Sequence, residues 1–177
     1  VGRYSAIAVD GSNRVHISYF DFVEGDLKYA TNASGPWATS IVDSADTVGS
    51  DTSIGIDASG TVHISYYDAF PNGDLKYAYW DGGGWNIETV DSTGDVGWDT
   101  SLALDSSDYP HISYYGGGPF HDLKYAYKDA GGWYTETVDW TGDVGYHTSI
   151  AVDSNNYPQI SHFDHTTDAL KYAYKDG

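Results

Sequence analysis

Asp57-Ala-Ser-Gly-Thr-Val-His-Ile-Ser-Tyr-Tyr-Asp68, followed by Leu75-Lys-Tyr-Ala-Tyr79, is the stretch that decides the fold. Both apolar runs are short, rich in β-branched and aromatic residues, and bounded by Asp, Gly, Pro and Asn, the composition of strands between tight turns. Outward from this stretch the same blocks return. The preceding Ser53-Ile-Gly-Ile-Asp57 matches Ser5-Ala-Ile-Ala-Val-Asp10, Ser101-Leu-Ala-Leu-Asp105 and Ser149-Ile-Ala-Val-Asp153. His63-Ile-Ser-Tyr-Tyr matches His16-Ile-Ser-Tyr-Phe, His111-Ile-Ser-Tyr-Tyr and Gln159-Ile-Ser-His-Phe. Leu75-Lys-Tyr-Ala recurs from Leu27, Leu123 and Leu170, and a Trp-led run covers Trp37 to Val42, Trp85 to Val90 and Trp133 to Val138.

The period is about 48 residues, and each full copy offers four strands, a to d, with no helical periodicity anywhere. A lone four-stranded sheet cannot bury both faces, so copies of this kind stack as blades around an axis. The expectation is an all-β β-propeller of four-stranded antiparallel blades in a single domain, with blades at 1–47, 48–95, 96–143 and 144–177. The last copy ends at Tyr174-Lys-Asp-Gly177, after strand c, so its outer strand is missing. An unpaired strand carrying Leu170, Tyr172 and Tyr174 is an assembly edge, because free N–H and C=O groups attract another strand.

Those blocks resemble the blades of secreted bacterial and archaeal β-propeller repeat proteins. The resemblance covers the whole chain and implies the propeller fold; propellers host lectins, hydrolases, adaptors and structural proteins alike, so it does not single out a function. The chain departs from WD40 repeats, which carry Gly-His and Trp-Asp pairs, from the kelch double glycine, and in part from the Asp-box turn of sialidases.

Composition narrows the function classes. With 26 acidic and 8 basic residues the net charge is −18, which repels phosphate backbones and anionic lipid, so neither nucleic acid nor membrane insertion is expected. The acid is almost all aspartate, the only glutamates being Glu24, Glu88 and Glu136. There is no cysteine, which removes thiol chemistry and disulfides. The chain begins at Val1, contains no methionine and reads as a processed or excised piece. One N-x-S sequon, Asn32-Ala33-Ser34, marks Asn32 as a glycosylation candidate and points to an extracellular or cell-surface setting.

Repetition separates scaffold from candidate function. A catalytic group is needed once, whereas His16, His63 and His111 each recur two residues before a serine, and Lys28, Lys76, Lys124 and Lys171 recur on strand c. Both sets are expected to be structural, the histidines in buried hydrogen bonds and the lysines paired with aspartates. The a–b turns, such as Asp57-Ala-Ser-Gly60, have Asx-turn chemistry; calcium is possible there, but no closing glutamate is present and no metal or other cofactor is expected.

Length varies in one place. From the strand-a aspartate to the strand-c lysine the spacing is 18, 19, 19 and 18, while lysine to the next aspartate is always 29. The slack lies between b and c, and the b–c and d–a loops share one face of an up-and-down blade. That face collects Tyr4, Phe22, Asp51, Phe70, Trp98, Asp99, Phe120, His121, Tyr146, His147 and His165 as ligand or interface candidates. The favoured reading is a non-enzymatic extracellular assembly module, a homo-oligomer or polymer. The alternative is a lectin-like propeller binding glycans through aromatics and aspartates, and a hydrolase comes third. Sialidase chemistry, which needs an arginine cluster, is set aside because only Arg3 and Arg14 are present.

Overall fold

Alternating apolar residues and turn aspartates organise the chain into fifteen strands in the computed structural model, which describes residues 2–119 and 121–176, with Phe70 described for its backbone only. The first blade holds β1 (Arg3–Val9), β2 (Val15–Asp21), β3 (Asp26–Thr31) and β4 (Ala38–Asp43). The second holds β5 (Thr47–Ile56), β6 (Val62–Phe70), β7 (Asp74–Trp80) and β8 (Trp85–Asp91). The third holds β9 (Val96–Leu104), β10 (Pro110–Gly116), β11 (Asp122–Asp129) and β12 (Gly132–Asp139). The fourth holds β13 (Val144–Val152), β14 (Pro158–Asp164) and β15 (Ala169–Tyr174). Every sheet is an antiparallel meander in sequence order, four-stranded in the first three blades and three-stranded in the last. This is a β-propeller arrangement, with β1, β5, β9 and β13 packed side by side as the inner strands.

The cores lie between blades, as stacking requires. Leu27 and Val42 of the first blade bury against Val48, Ile54, Ile64, Tyr66 and Ala78 of the second. Leu75, Tyr77 and Val90 meet Val96, Leu102, Ile112, Tyr114 and Ala126 in the next interface. Leu123 and Tyr125 meet Ile150 and Ile160 in the third. Blades approach closely enough that a Cβ on Gly97 would stand 2.8 Å from Leu75 Cα, so this position, with φ +107°, accepts only glycine.

Polar groups repeat across the same interfaces. Thr52, Thr100 and Thr148 donate their hydroxyls to Ser18, Ser65 and Ser113 of the preceding blade at 2.8–2.9 Å. The histidines two residues before those serines serve a different bond. His16, His63 and His111 each bring Nδ1 within 2.5 Å of Tyr29, Tyr77 or Tyr125 Oη on strand c. On the other side His16 and His63 bring Nε2 to 3.4 and 3.3 Å from Asp10 and Asp57. Each strand-c lysine is paired with aspartate: Lys28 with Asp21 (2.6 Å), Lys76 with Asp68 (2.9 Å), Lys124 with Asp91, and Lys171 with Asp139 and Asp164 (3.0 Å each). The turn aspartates cap their own turns, accepting from the N–H of Ser12, Ser59, Ser107 and Asn155 at 2.8–2.9 Å.

One expectation needs correcting. Tyr4, Asp51, Trp98, Asp99, Tyr146 and His147 read as d–a loop residues in the sequence, and they lie inside the inner strands β1, β5, β9 and β13. Bulges interrupt the pairing there, and Tyr4, Asp51, Asp99 and His147 all take φ of 50–51°, which swings these side chains out of the ladder. The first boundary also shifts, since Thr47 already belongs to β5.

Candidate functional site

Two regions gather aromatic and polar groups, on opposite faces of the blades. The loop-bearing face carries the residues picked out by sequence. At its centre Tyr4, Asp51, Asp99 and His147, one from each inner strand, line a shallow cavity of about 280 Å³. His147 N–H donates to Asp99 Oδ2 at 2.9 Å. Burial, reinforced by the Asp99 charge, pushes Asp51 up to about 6. Beside it, Asp95, Trp98, Asp99, Tyr115, His121 and Tyr146 line a second cavity of about 270 Å³ between the third and fourth blades.

The aromatics there are largely occupied with one another. Trp98 lies 4.5 Å from Tyr67 and donates its indole N–H to Asp95 at 2.9 Å. Tyr146 stacks 4.1 Å from Tyr115, whose hydroxyl donates to Asp143 and lies 2.5 Å from His121 Nδ1. Phe22 is exposed under the Arg3 guanidinium at 4.1 Å, and His165 is exposed beside Asp143. Phe120 and the Phe70 side chain lie outside the described residues. Among the described residues no cluster of three or more His, Asp or Glu is placed to hold a metal ion.

The other region is a cleft between the first two blades, on the face of the a–b and c–d turns, with a volume of about 430 Å³. Its walls are Tyr29, Trp80 and Trp85, and its polar groups come from Arg14, His16, Thr31, Ser34 and Ser40. Trp85 opens β8 and stands edge-on to Tyr29 at 5.3 Å and to Trp80 at 5.5 Å. Its indole N–H is buried with no hydrogen-bond partner, an arrangement that costs about 1–3 kcal/mol when nothing replaces water. Arg14 is half-exposed, with Nε on Asp10 at 2.5 Å, and its charge reaches Tyr29, whose hydroxyl burial pushes upward.

The corresponding cleft between the second and third blades is filled from within. Trp133, the counterpart of Trp85, donates its indole N–H to Glu88 at 2.6 Å. Lys128 donates to both Glu88 oxygens at 2.6–2.7 Å and lies 5.7 Å from the Trp133 ring. One period earlier, Ser40 stands in place of Glu88 and Trp80 in place of Lys128. Sequence reasoning passed over Arg14, Ser40, Trp80 and Trp85. The signal lies in the alignment of copies, where these substitutions change chemistry without changing loop length.

Fold and clefts together define a β-propeller with an open aromatic cleft between its first two blades. No family model matches the sequence, and neither does any curated protein. Solved structures do resemble it. A fucose lectin from Kordia zhangzhouensis in complex with methyl-fucoside aligns at TM-score 0.53 and 22% identity, over 75% of this chain and 96% of that one. SapL1 lectin in complex with alpha methyl fucoside aligns at 0.61 and 13%, over 95% and 61%. The Hadza microbial sialidase Hz136 aligns at 0.66 and 11%, over 98% and 44%. The chain thus spans less than two thirds of the latter two proteins, and identities this low establish the fold alone.

Proposed function

We propose that this chain is a non-enzymatic carbohydrate-binding propeller module whose sugar site is the cleft between the first and second blades. The observation that carries the reading is the Trp85 indole N–H, buried without an acceptor at the wall of an aromatic cavity. Pyranose rings present an apolar face to such walls and hydroxyl oxygens to such donors. The lectin neighbours add support, since two of them are solved with fucosides. A hydrolase is less well supported, because the residues lining the cleft include no carboxylate. The acidic composition and the Asn32 sequon favour action outside the cell; Asn32 itself is half-buried, its Oδ1 accepting from Val15 N–H at 2.8 Å. A glycan array followed by calorimetry tests the proposal. Trp85→Ala is expected to weaken glycan binding by about 30-fold or more, the loss typical of a buried aromatic anchor. Unchanged affinity in a folded variant rejects the cleft.

Self-association is a second reading, and a specific observation favours it. Leu170 and Tyr172 are 81% and 62% exposed, whereas their counterparts Leu123 and Tyr125 are 0% and 2%. At the other end Ile7 is 66% exposed while its counterpart Ile54 is 8%. Each end therefore displays the face that its counterparts bury against a neighbouring blade. Light scattering separates the outcomes: a dimer or larger species that Leu170→Asp reduces to monomer supports association, and a monomer at high concentration opposes it.

A further inference from the structure

Resting on the carbohydrate reading of the same cleft, we infer that its preferred ligand is an acidic sugar, one that brings a carboxylate to the Trp85 indole N–H and the Arg14 guanidinium. The warrant is the neighbouring interface. There the protein supplies its own carboxylate: Glu88 accepts from the Trp133 indole at 2.6 Å and from Lys128 at 2.6–2.7 Å. The aromatic frame around it is the same in both places. Tyr77 stands edge-on to Trp133 at 5.1 Å as Tyr29 does to Trp85 at 5.3 Å. In the first cleft the carboxylate is withdrawn by Ser40, which is too short to reach the indole position Glu88 occupies, and the donor is left orphaned. Trp85 Nε1 is itself buried, so a carboxylate reaches it only when side chains lining the cleft shift, and the Glu88–Trp133 contact shows the geometry it then meets.

Charge is rearranged in the same sense. Trp80 replaces the lysine that neutralises Glu88, so the cleft loses that cation. It gains another on the facing wall: Arg14 has Thr61, Tyr109 and Tyr157 as its counterparts, and it is one of only two arginines in the chain. Nε is committed to Asp10, and the two terminal nitrogens of a guanidinium remain for a second, planar acceptor. Trp80 meanwhile extends the stacking surface, lying 5.5 Å from Trp85. The exchange of an internal Glu–Lys pair for Ser40, Trp80 and Arg14 thus turns a self-satisfied contact into a receptor for a ring bearing a carboxylate.

Matched probes separate this inference from the reading beneath it. Titrations with methyl glucuronide against methyl glucoside, and with sialyllactose against lactose, are expected to show at least a 10-fold preference for one acid member. The pair that responds tells a uronate from a sialate. Equal affinity within both pairs overturns the acidic-sugar inference and leaves the carbohydrate reading intact. Binding to no member of either pair, nor to any glycan on an array, overturns both. Arg14→Lys, which keeps the charge but loses the planar fork, is expected to cut the acid-over-neutral preference several-fold. Ser40→Glu is expected to abolish acid binding by placing the protein's own carboxylate on Trp85, with the fold retained by circular dichroism. An acid preference unchanged in both variants counts against the assigned contacts.

Discussion

The first and second interblade clefts share a backbone frame, a relay of histidine and tyrosine, and an edge-on Tyr–Trp pair, yet one is filled and the other open. Glu88 and Lys128 close the second from within, while Ser40 and Trp80 leave the first unfilled. In a repeat protein, then, a site is made by subtraction as readily as by addition. Two substitutions at fixed spacing convert a structural contact into a cavity, and the surrounding scaffold is unchanged.

The strongest test is to transplant the difference. Glu88→Ser with Lys128→Trp is expected to open the second cleft and raise the glycan stoichiometry by one site per chain, read by calorimetry. An unchanged stoichiometry in a folded double variant breaks the equivalence of the two frames. Next in size is the core beneath the clefts. Leu75→Ala, in a fully buried position, is expected to lower unfolding stability by about 2–5 kcal/mol, whereas Leu170→Ala on the exposed end should change it by no more than about 0.5 kcal/mol. Denaturant titration of both variants checks this, and equal losses would show that the end face is covered in solution.

Smaller effects sharpen the contrast. Glu88→Ala removes the acceptor of Lys128 and Trp133 and is expected to cost about 1–3 kcal/mol, while Ser40→Ala stays within about 0.5 kcal/mol, by the same titration. The smallest concerns the opposite face. Asp51 is raised to about 6, so between pH 4 and 6 the native state holds a proton that the unfolded chain has released, and this group makes stability fall as pH rises through that window. Asp51→Asn should remove its share, so that the difference in melting temperature between wild type and variant shrinks toward acid pH. A constant difference would mean that Asp51 titrates as an ordinary carboxylate.

How much of this was legible in the sequence follows from what repetition can express. The strands, the blade order and the structural duty of His63, Ser65 and Lys76 were readable, because a residue that recurs with the period answers to the scaffold. The long inner strands were misread at Asp51, Asp99 and His147, since a bulge with positive φ looks like a loop when only composition is visible. The loop-face aromatics do converge, but Trp98 and Tyr146 lean on Tyr67 and Tyr115, a pairing across blades that no local pattern announces. Trp85 was hidden for the opposite reason. It repeats faithfully as Trp133, and only the partner 48 residues from Glu88 reveals that its hydrogen bond is gone.

The fourth blade carries a lesson of a different kind. Where three blades place histidine between a tyrosine hydroxyl and a turn aspartate, Gln159 spans the same two groups, accepting from Tyr172 and donating to Asp153. An amide has no proton to gain in this range, and burial pulls His63 and His111 below the ordinary imidazole range. At neutral pH the strut of the second and third blades is therefore uncharged, as the fourth blade's glutamine is, and the two side chains have similar reach. As pH falls below about 6.5 the unfolded chain takes up a proton at His63 and His111 that the buried rings refuse, so these two struts lose stabilising value in mild acid while the glutamine strut of the fourth blade does not.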